Sequence, residues 1–169
     1  GCATGSISVE VAPHVNHVYG LDISEQMVEH AHIKSLKNKL DNCTFKQGSI
    51  VNYPFDQESL DVIIAFYILH LVESPDLVLQ ELNKKLSSEG TLIVEIPCLG
   101  LKNSIVVGLL KFFTKLAGLP FLHRFRPTEF EQLITDSGFK IIRSGLNLRS
   151  VSVKNSCLAT TRLRKCVFS

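Results

Sequence analysis

The opening residues Gly1-Cys2-Ala3-Thr4-Gly5, taken with Asp22 downstream, constrain this chain more than any other stretch. Glycines on either side of a small residue allow a turn in which no Cβ keeps a ligand away from the backbone. Ser6 to about Pro13 reads as a short helix closed by the proline. Its first turn presents unpaired N–H groups toward the glycine-rich segment. His17-Val18-Tyr19-Gly20-Leu21 is then a short apolar strand ending at Asp22. A carboxylate at a strand tip can accept hydrogen bonds from both hydroxyls of a ribose. Turn, helix, strand and terminal carboxylate form the front half of a nucleotide-binding α/β unit, suited to the adenosyl part of a cofactor.

The spacing narrows the choice. A dinucleotide fingerprint runs G-x-G-x-x-G, its last glycine letting the helix pack against the strand. Here Ala3 holds the middle position and Ser6 the sixth, so the pattern is G-x-A-x-G.

Downstream, the elements alternate. Ser24 is an N-cap for a helix through about Lys39, with Met27, Val28, Ala31 and Leu36 as its inner face. Asn42 breaks it and Cys43 to Gln47 makes a strand. Asp61 to Phe66 is apolar on both faces, as an inner parallel strand should be. Ser74-Pro75-Asp76 starts a helix by N-cap, first-turn proline and dipole-matched acid. Leu77, Val78, Leu79, Leu82 and Leu86 are its expected buried side, and Glu89-Gly90 leads into a strand from Thr91 to Ile96. This order predicts right-handed crossovers and a mostly parallel, twisted sheet with helices on both faces.

Asn103 to Ala117 departs from the repeat. Ser104, Gly108, Lys111 and Lys115 fall on one stripe of an otherwise apolar helix. A bilayer span needs about 20 apolar residues, so the stretch reads as an amphipathic part of a helical cover segment at about 100–126. Thr128 with Glu131 suggests a capping box for a helix ending at Gly138. Phe139 to Leu146 and roughly Ser156 to Leu163 are the expected strands of a closing C-terminal antiparallel hairpin. No strand stands before Gly1, so the first central strand is expected to be missing and the domain, 1–169, to be N-terminally incomplete. At a strand spacing of about 4.8 Å, its neighbours would then lie roughly 10 Å apart unless the sheet rearranges.

Composition excludes several classes. A formal charge of +2 is too small to argue for nucleic acid. Five cysteines without a C-x-x-C pair argue against a disulfide framework or a zinc site, and reduced thiols point to the cytoplasm. His30 and His32 are two apart, facing different sides of a helix, and make a poor metal pair; no metal is expected.

The chain resembles class I S-adenosylmethionine-dependent methyltransferases of the small-molecule, quinone-biosynthesis type. The resemblance is carried by Gly1-Cys2-Ala3-Thr4-Gly5, Tyr19-Gly20-Leu21-Asp22-Ile23-Ser24, Gly48-Ser49-Ile50 and Tyr53-Pro54-Phe55. It continues in Leu60-Asp61-Val62-Ile63-Ile64, Ile68-Leu69-His70, Ser88-Glu89-Gly90-Thr91-Leu92 and Phe130 to Phe139. It implies a Rossmann-like sheet and S-adenosylmethionine as cofactor. Gly1, Ala3 and Gly5 would line its methionine and ribose portion, Asp22 would hold the ribose hydroxyls, and Ile23 would pack on adenine. Ser49 and Ile50 would meet the adenine edge. Many relatives carry Asp at the Ser49 position, a stronger acceptor for the adenine amino group. Backbone at Ala65 and Phe66 would face the methionine end.

A sulfonium methyl is already activated, so such an enzyme supplies mainly position and electrostatics. Where the acceptor must lose a proton, His70 is the best-placed base, with Tyr67, His123, Arg124 and Arg126 as acceptor-side candidates. Each also reads as an ordinary loop or surface residue. The apolar run from Ile105 to Leu122 fits a small hydrophobic acceptor, a membrane surface or simple lid packing alike. DNA amino-methyltransferases carry an N/D-P-P-Y type motif where this chain has Ala65-Phe66-Tyr67-Ile68. Other adenosine-ligand enzymes on the same fold, and a non-catalytic or degenerate fragment, stay open as alternatives.

Overall fold

The segment Leu60–Phe66 (β3) alternates its side chains between two cores. Ile63 and Ala65 join one apolar cluster, whereas Val62 and Ile64 join another. Successive residues of a strand point to opposite faces, so β3 is covered on both sides, as an inner parallel strand must be. The computed structural model describes residues 1–96, 123, 125–143, 150–154 and 165–168, with Arg143 and the last two stretches described by backbone alone.

The elements run α1 (Ser6–Val11), a 3-10 turn (Ala12–His14), β1 (His17–Asp22), α2 (Glu25–Lys37), β2 (Cys43–Gln47), β3, α3 (Pro75–Lys85) and β4 (Leu86–Glu95). After them come α4 (Pro127–Asp136), β5 (Lys140–Arg143), β6 (Ser150–Lys154) and β7 (Lys165–Phe168). They build one seven-stranded sheet in the order β2-β1-β7-β3-β4-β6-β5. The pairs from β2 to β4 are parallel, and β6 runs antiparallel to both β4 and β5.

One face of the sheet packs on α3 and α4 through Leu79, Leu82, Phe130 and Ile134, the other on Ala12 and Val15 beside Val18. Leu21, Leu60, Ile63, Leu69, Leu79 and Leu82 are essentially fully buried. Each such side chain stabilises the fold by about 1.5–3 kcal/mol relative to exposure. Lys85 closes α3 with its stem buried and its Nζ donating to the Tyr53 carbonyl at 3.2 Å.

Several expectations change. Between β1 and β3, where the strand expected before Gly1 would stand, the described sheet places β7, the rearrangement that keeps these neighbours bridged. The strand that pairs with β5 is Ser150–Lys154, while Ser156 to Leu163 and the helix expected at Asn103 to Ala117 lie outside the described residues. The buried face of α2 is Ala31 and Ser35, whereas Leu36 is 64% exposed and Met27 also faces solvent. The clearance is set between segments: Gly5 brings the turn so close to α2 that only a small residue, Ala31, fits beneath it. Leu77 of α3 is exposed too. The cap of α4 is Arg126 with Glu129, not Thr128 with Glu131, because Pro127 presets the first helical residue. β4 begins at Leu86, with a register irregularity opposite Leu60 and Val62.

Candidate functional site

The carboxyl ends of β1, β3 and β4 lie along one edge of the sheet, where open α/β folds bind ligands. The glycine turn docks there first through its backbone. The Gly1 and Cys2 nitrogens both donate to the Leu21 carbonyl at 2.7 Å, and Gly5 N–H donates to Cys2 O at 3.0 Å. Ala3 and Gly5 adopt left-handed conformations, φ 47° and 70°. A Cβ on Gly5 would stand 2.8 Å from the Ala31 Cβ, so this position needs both the conformation and the absent side chain. Lys34 of α2 braces the outer side of the turn, its Nζ donating to Ser6 Oγ at 2.7 Å and Thr4 Oγ1 at 3.2 Å.

Asp22 is 7% exposed and faces this turn. Its Oδ2 accepts from Ala3 N–H at 2.8 Å and its Oδ1 from Ser24 N–H at 3.0 Å. The same residue's carbonyl accepts from Gly48 N–H at 2.8 Å, tying in the loop after β2. An ionised carboxylate offers about four lone-pair sites, so each oxygen keeps capacity for a further donor. Burial pushes the Cys2 thiol up to about 11, which leaves it an inert thiol at neutral pH.

Beside the turn lies a mostly apolar hollow of about 180 Å³. Gly1, Ile23, Ser49 and Ile50 form one wall. Ile68, Leu69 and Val72 form part of the other. Ile50 is buried, but Ile23 is 77% exposed, an isoleucine that the fold itself leaves uncovered. The Ser49 hydroxyl accepts from Val51 N–H at 3.4 Å and its carbonyl from Asn52 and Tyr53 N–H, so it also caps a turn. A larger trough of about 450 Å³ lies beside Gln57, Asn83, Lys84 and Ser137. It sits near the start of β4, away from the strand tips where open α/β folds bind ligands.

Ala65 is fully buried at the end of β3 and Phe66 half-buried; neither lines the hollow. Tyr67 follows in a left-handed conformation, φ 57°, its N–H donating to the Glu95 carbonyl at 2.8 Å and its exposed hydroxyl to Glu95 Oε1. His70 is 8% exposed with Nδ1 lacking a hydrogen-bond partner. Burial, and secondarily His123, pull its imidazole below the usual value, so it is neutral at pH 7. His123 docks on the same loop: its N–H donates to the His70 carbonyl at 2.8 Å, and its Nε2 lies 3.2 Å from the Glu73 carbonyl.

The structure thus brings Gly1, Ala3, Gly5, Asp22, Ile23, Ser49 and Ile50 together. Of the remaining candidates, the His70 imidazole does not line the hollow, though Leu69 and Leu71 on either side of it do. Arg126 is exposed, its Nε 4.0 Å from Glu129 at the start of α4. Arg124 lies outside the described residues. Sequence reasoning missed Glu95, yet the signal was present: an acid directly after the apolar run Leu92-Ile93-Val94, as Asp22 follows Leu21. Among the described residues no helix is long and apolar enough to cross a membrane, and no three His, Cys, Asp or Glu side chains gather as a metal would require.

A profile of the methyltransferase-domain family matches residues 1–111. The chain is 26% identical over 94 residues to an uncharacterized methyltransferase, YcgJ, of Bacillus subtilis, covering 56% of this chain and 37% of that protein. It is 32% identical over 95 residues to the demethylmenaquinone methyltransferase of Lactococcus lactis, covering 54% and 38% respectively. The chain therefore spans little more than a third of the length of these curated relatives. The crystal structure of an S-adenosylmethionine-dependent methyltransferase from Mesorhizobium loti superposes with a TM-score of 0.71 at 17% identity, over 90% of this chain and 86% of that one. A [4+2]-cyclase superposes nearly as well, with a TM-score of 0.66 at 20% identity over 85% of this chain and 51% of that one, so the fold alone does not set the reaction. Turn, aspartate, parallel sheet and profile agree: the chain belongs to the class I methyltransferase-domain family, whose methyl donor is S-adenosylmethionine.

Proposed function

We propose that this chain transfers the methyl group of S-adenosylmethionine to a small hydrophobic acceptor. One observation carries the reading: a buried carboxylate is held against the backbone of a glycine-flanked turn, at the lip of an apolar hollow. The residues fit the cofactor. At about 180 Å³ the hollow is smaller than the ~300–1,000 Å³ of a whole ligand site, which suits one flat ring system. Ile23 would pack on one face of that ring, with Ser49 and Ile50 at its edge. Asp22 would receive the ribose hydroxyls, while Gly1, Ala3 and Gly5 leave room for the sugar and the amino-acid end. Ala65 and Phe66 contribute backbone at the end of β3.

Bound there, S-adenosylmethionine supplies an activated sulfonium methyl. The chain's own residues then orient the acceptor, exclude water and manage its proton. Tyr67 presents an exposed hydroxyl that donates to Glu95 Oε1, which sets a polar pair at the ends of β3 and β4 where it could orient an acceptor. His70 is the candidate base, neutral at pH 7, but its Nδ1 is buried behind the wall formed by Leu69 and Leu71, so it would act only if that loop turned the ring toward the acceptor. His123 and Arg126 are the outer acceptor-side candidates.

Calorimetric titration of S-adenosylhomocysteine into the chain, with NAD in parallel, tests the cofactor assignment. Saturable binding of the former alone is expected; no binding, or preference for NAD, refutes it. Labelled methyl transfer to simple hydroquinones, compared between the parent and Tyr67→Phe, then tests the acceptor side. Tyr67→Phe should retain cofactor affinity and lose turnover.

A further inference from the structure

Tyr19 stands in β1 on the same sheet face as Leu21, two residues on. Among the described residues no helix lies between β2 and β3, so the chain from Gly48 to Ser59 covers that face as a loop. It does so with aromatic rings. Phe55 meets Tyr19 at 5.2 Å between ring centroids and 80° between planes, and Tyr53 at 4.5 Å and 44°. His17 extends the group from the start of β1, its ring 4.5 Å from Tyr19. Tyr19, Tyr53 and Phe55 pack against the larger core on one side and stay half-exposed on the other.

Rings at these angles make a corner instead of a flat stack. The corner opens on a cavity of about 250 Å³ lined by Tyr19, Tyr53, Pro54, Phe55, Asp56 and Ser59. Its walls are held by the backbone. Pro54 fixes its own φ, Phe55 N–H donates to the Tyr53 carbonyl at 2.8 Å, and Lys85 Nζ donates to the same carbonyl at 3.2 Å. Ser59 Oγ donates to the Asp56 carbonyl at 2.8 Å and closes the turn that carries the carboxylate. Aromatic faces are the negative side of each ring's quadrupole, and Asp56 adds a formal charge. Among the described residues the Asp56 carboxylate has no hydrogen-bond or ion-pair partner, and the hydroxyls of Tyr19 and Tyr53 have none either. Electron-rich groups thus line an open space, and among the described residues no cation lines it with them.

We propose that this aromatic corner binds a small quaternary alkylammonium ion. Such a cation carries no N–H that must be satisfied. Its methyl groups suit an apolar wall, and its charge is drawn to the ring faces, as in aromatic cages generally. A carboxylate at the rim adds attraction without a directed hydrogen bond. A primary ammonium is more strongly hydrated and would give up more water for the same contacts. At about 250 Å³ the space is below the ~300–1,000 Å³ of a whole small-molecule site, which suits a head group. The corner shares no lining residue with the hollow beside the glycine turn. Both stand on one loop, since the Ser49 carbonyl accepts from Tyr53 N–H at 2.9 Å, yet the cation site is independent of the methyl-transfer reading.

Tyrosine fluorescence reads the site directly, because the chain has three tyrosines and no tryptophan. In a Tyr67→Phe background the signal comes from Tyr19 and Tyr53 alone. Tetramethylammonium and choline chlorides are titrated at constant ionic strength beside 3,3-dimethylbutanol, the neutral isostere of choline, with phosphatidylcholine vesicles as a further arm. Both cations should give a saturable change, and the neutral alcohol should bind at least about fivefold more weakly. Phe55→Leu should weaken cation binding about 3- to 30-fold, whereas Tyr53→Phe, which keeps the ring, should cost less than about twofold. Asp56→Asn should weaken it about 2- to 5-fold, the modest effect of an exposed charge. Thermal unfolding accompanies each variant; should Phe55→Leu fail to fold, Asp56→Asn and the neutral isostere decide the matter. Equal affinity for alcohol and cation would mean an apolar cleft only, and a response that never saturates, or that Asp56→Asn leaves unchanged, would mean no cation site. Either result overturns the proposal. Binding to the vesicles without binding to choline overturns it too, and assigns the corner to a membrane surface instead.

Discussion

Asp22→Ala separates two roles that the structure superimposes on one carboxylate. Its oxygens accept backbone N–H bonds from Ala3 at 2.8 Å and Ser24 at 3.0 Å, and those bonds exist without any ligand. Hydrogen bonds to a charged group are worth about 1.5–3 kcal/mol each, less where water can replace the acceptor. Ala3 is exposed and Ser24 half-exposed, so water reaches both, and we expect a stability loss of about 1–3 kcal/mol in total. Affinity for S-adenosylhomocysteine should fall independently. Loss of the ribose contacts costs a further ~1.5–3 kcal/mol, roughly a 10- to 150-fold rise in Kd. Urea unfolding measures the first effect and calorimetry of the folded variant the second. A variant that loses stability while its Kd stays within about twofold of the parent would show that Asp22 only caps the turn, and the ribose assignment would fall with it.

Gly5→Ala should destabilise the chain by about 2–4 kcal/mol in urea unfolding, since it combines a left-handed φ of 70° with a 2.8 Å approach to Ala31. Ile23→Ala should leave stability within about 0.5 kcal/mol, because the side chain is 77% exposed. It should still weaken S-adenosylhomocysteine binding by about 1 kcal/mol, roughly fivefold, if the residue is covered by the bound base. His70 makes stability depend on pH. Its folded value lies below the ordinary 6.5, so the folded state binds fewer protons than the unfolded one as pH falls from 6.5 toward that lowered value. Stability is therefore complete above pH 6.5 and declines through that window, and His70→Gln should flatten the decline in thermal unfolding between neutral and mildly acid pH. Tyr67→Phe and Glu95→Gln should both leave S-adenosylhomocysteine affinity unchanged while lowering methyl transfer; equal losses of affinity would place the pair in the cofactor site instead.

The sequence by itself determined the parts whose cause is local. The glycine turn, the Ser24 cap and the strand Leu60–Phe66 follow from conformational freedom, a hydroxyl acceptor and apolar periodicity, all legible within a few residues. Asp22 was legible too, because one helix and one strand bring it back to the turn by a short path. The sheet's connectivity was not. Residues 165–168 pair with strands more than a hundred positions away, and no local pattern says which slot a four-residue apolar segment will fill. The buried face of α2 was misjudged for a related reason: Met27 and Leu36 are apolar, but the room beneath the helix is set by how closely Gly5 approaches Ala31. Glu95 meets Tyr67 only because β3 and β4 end in register at Phe66 and Glu95. Propensity and pattern act along the chain, whereas strand neighbours, register and clearance act between segments, and only the assembled sheet decides them.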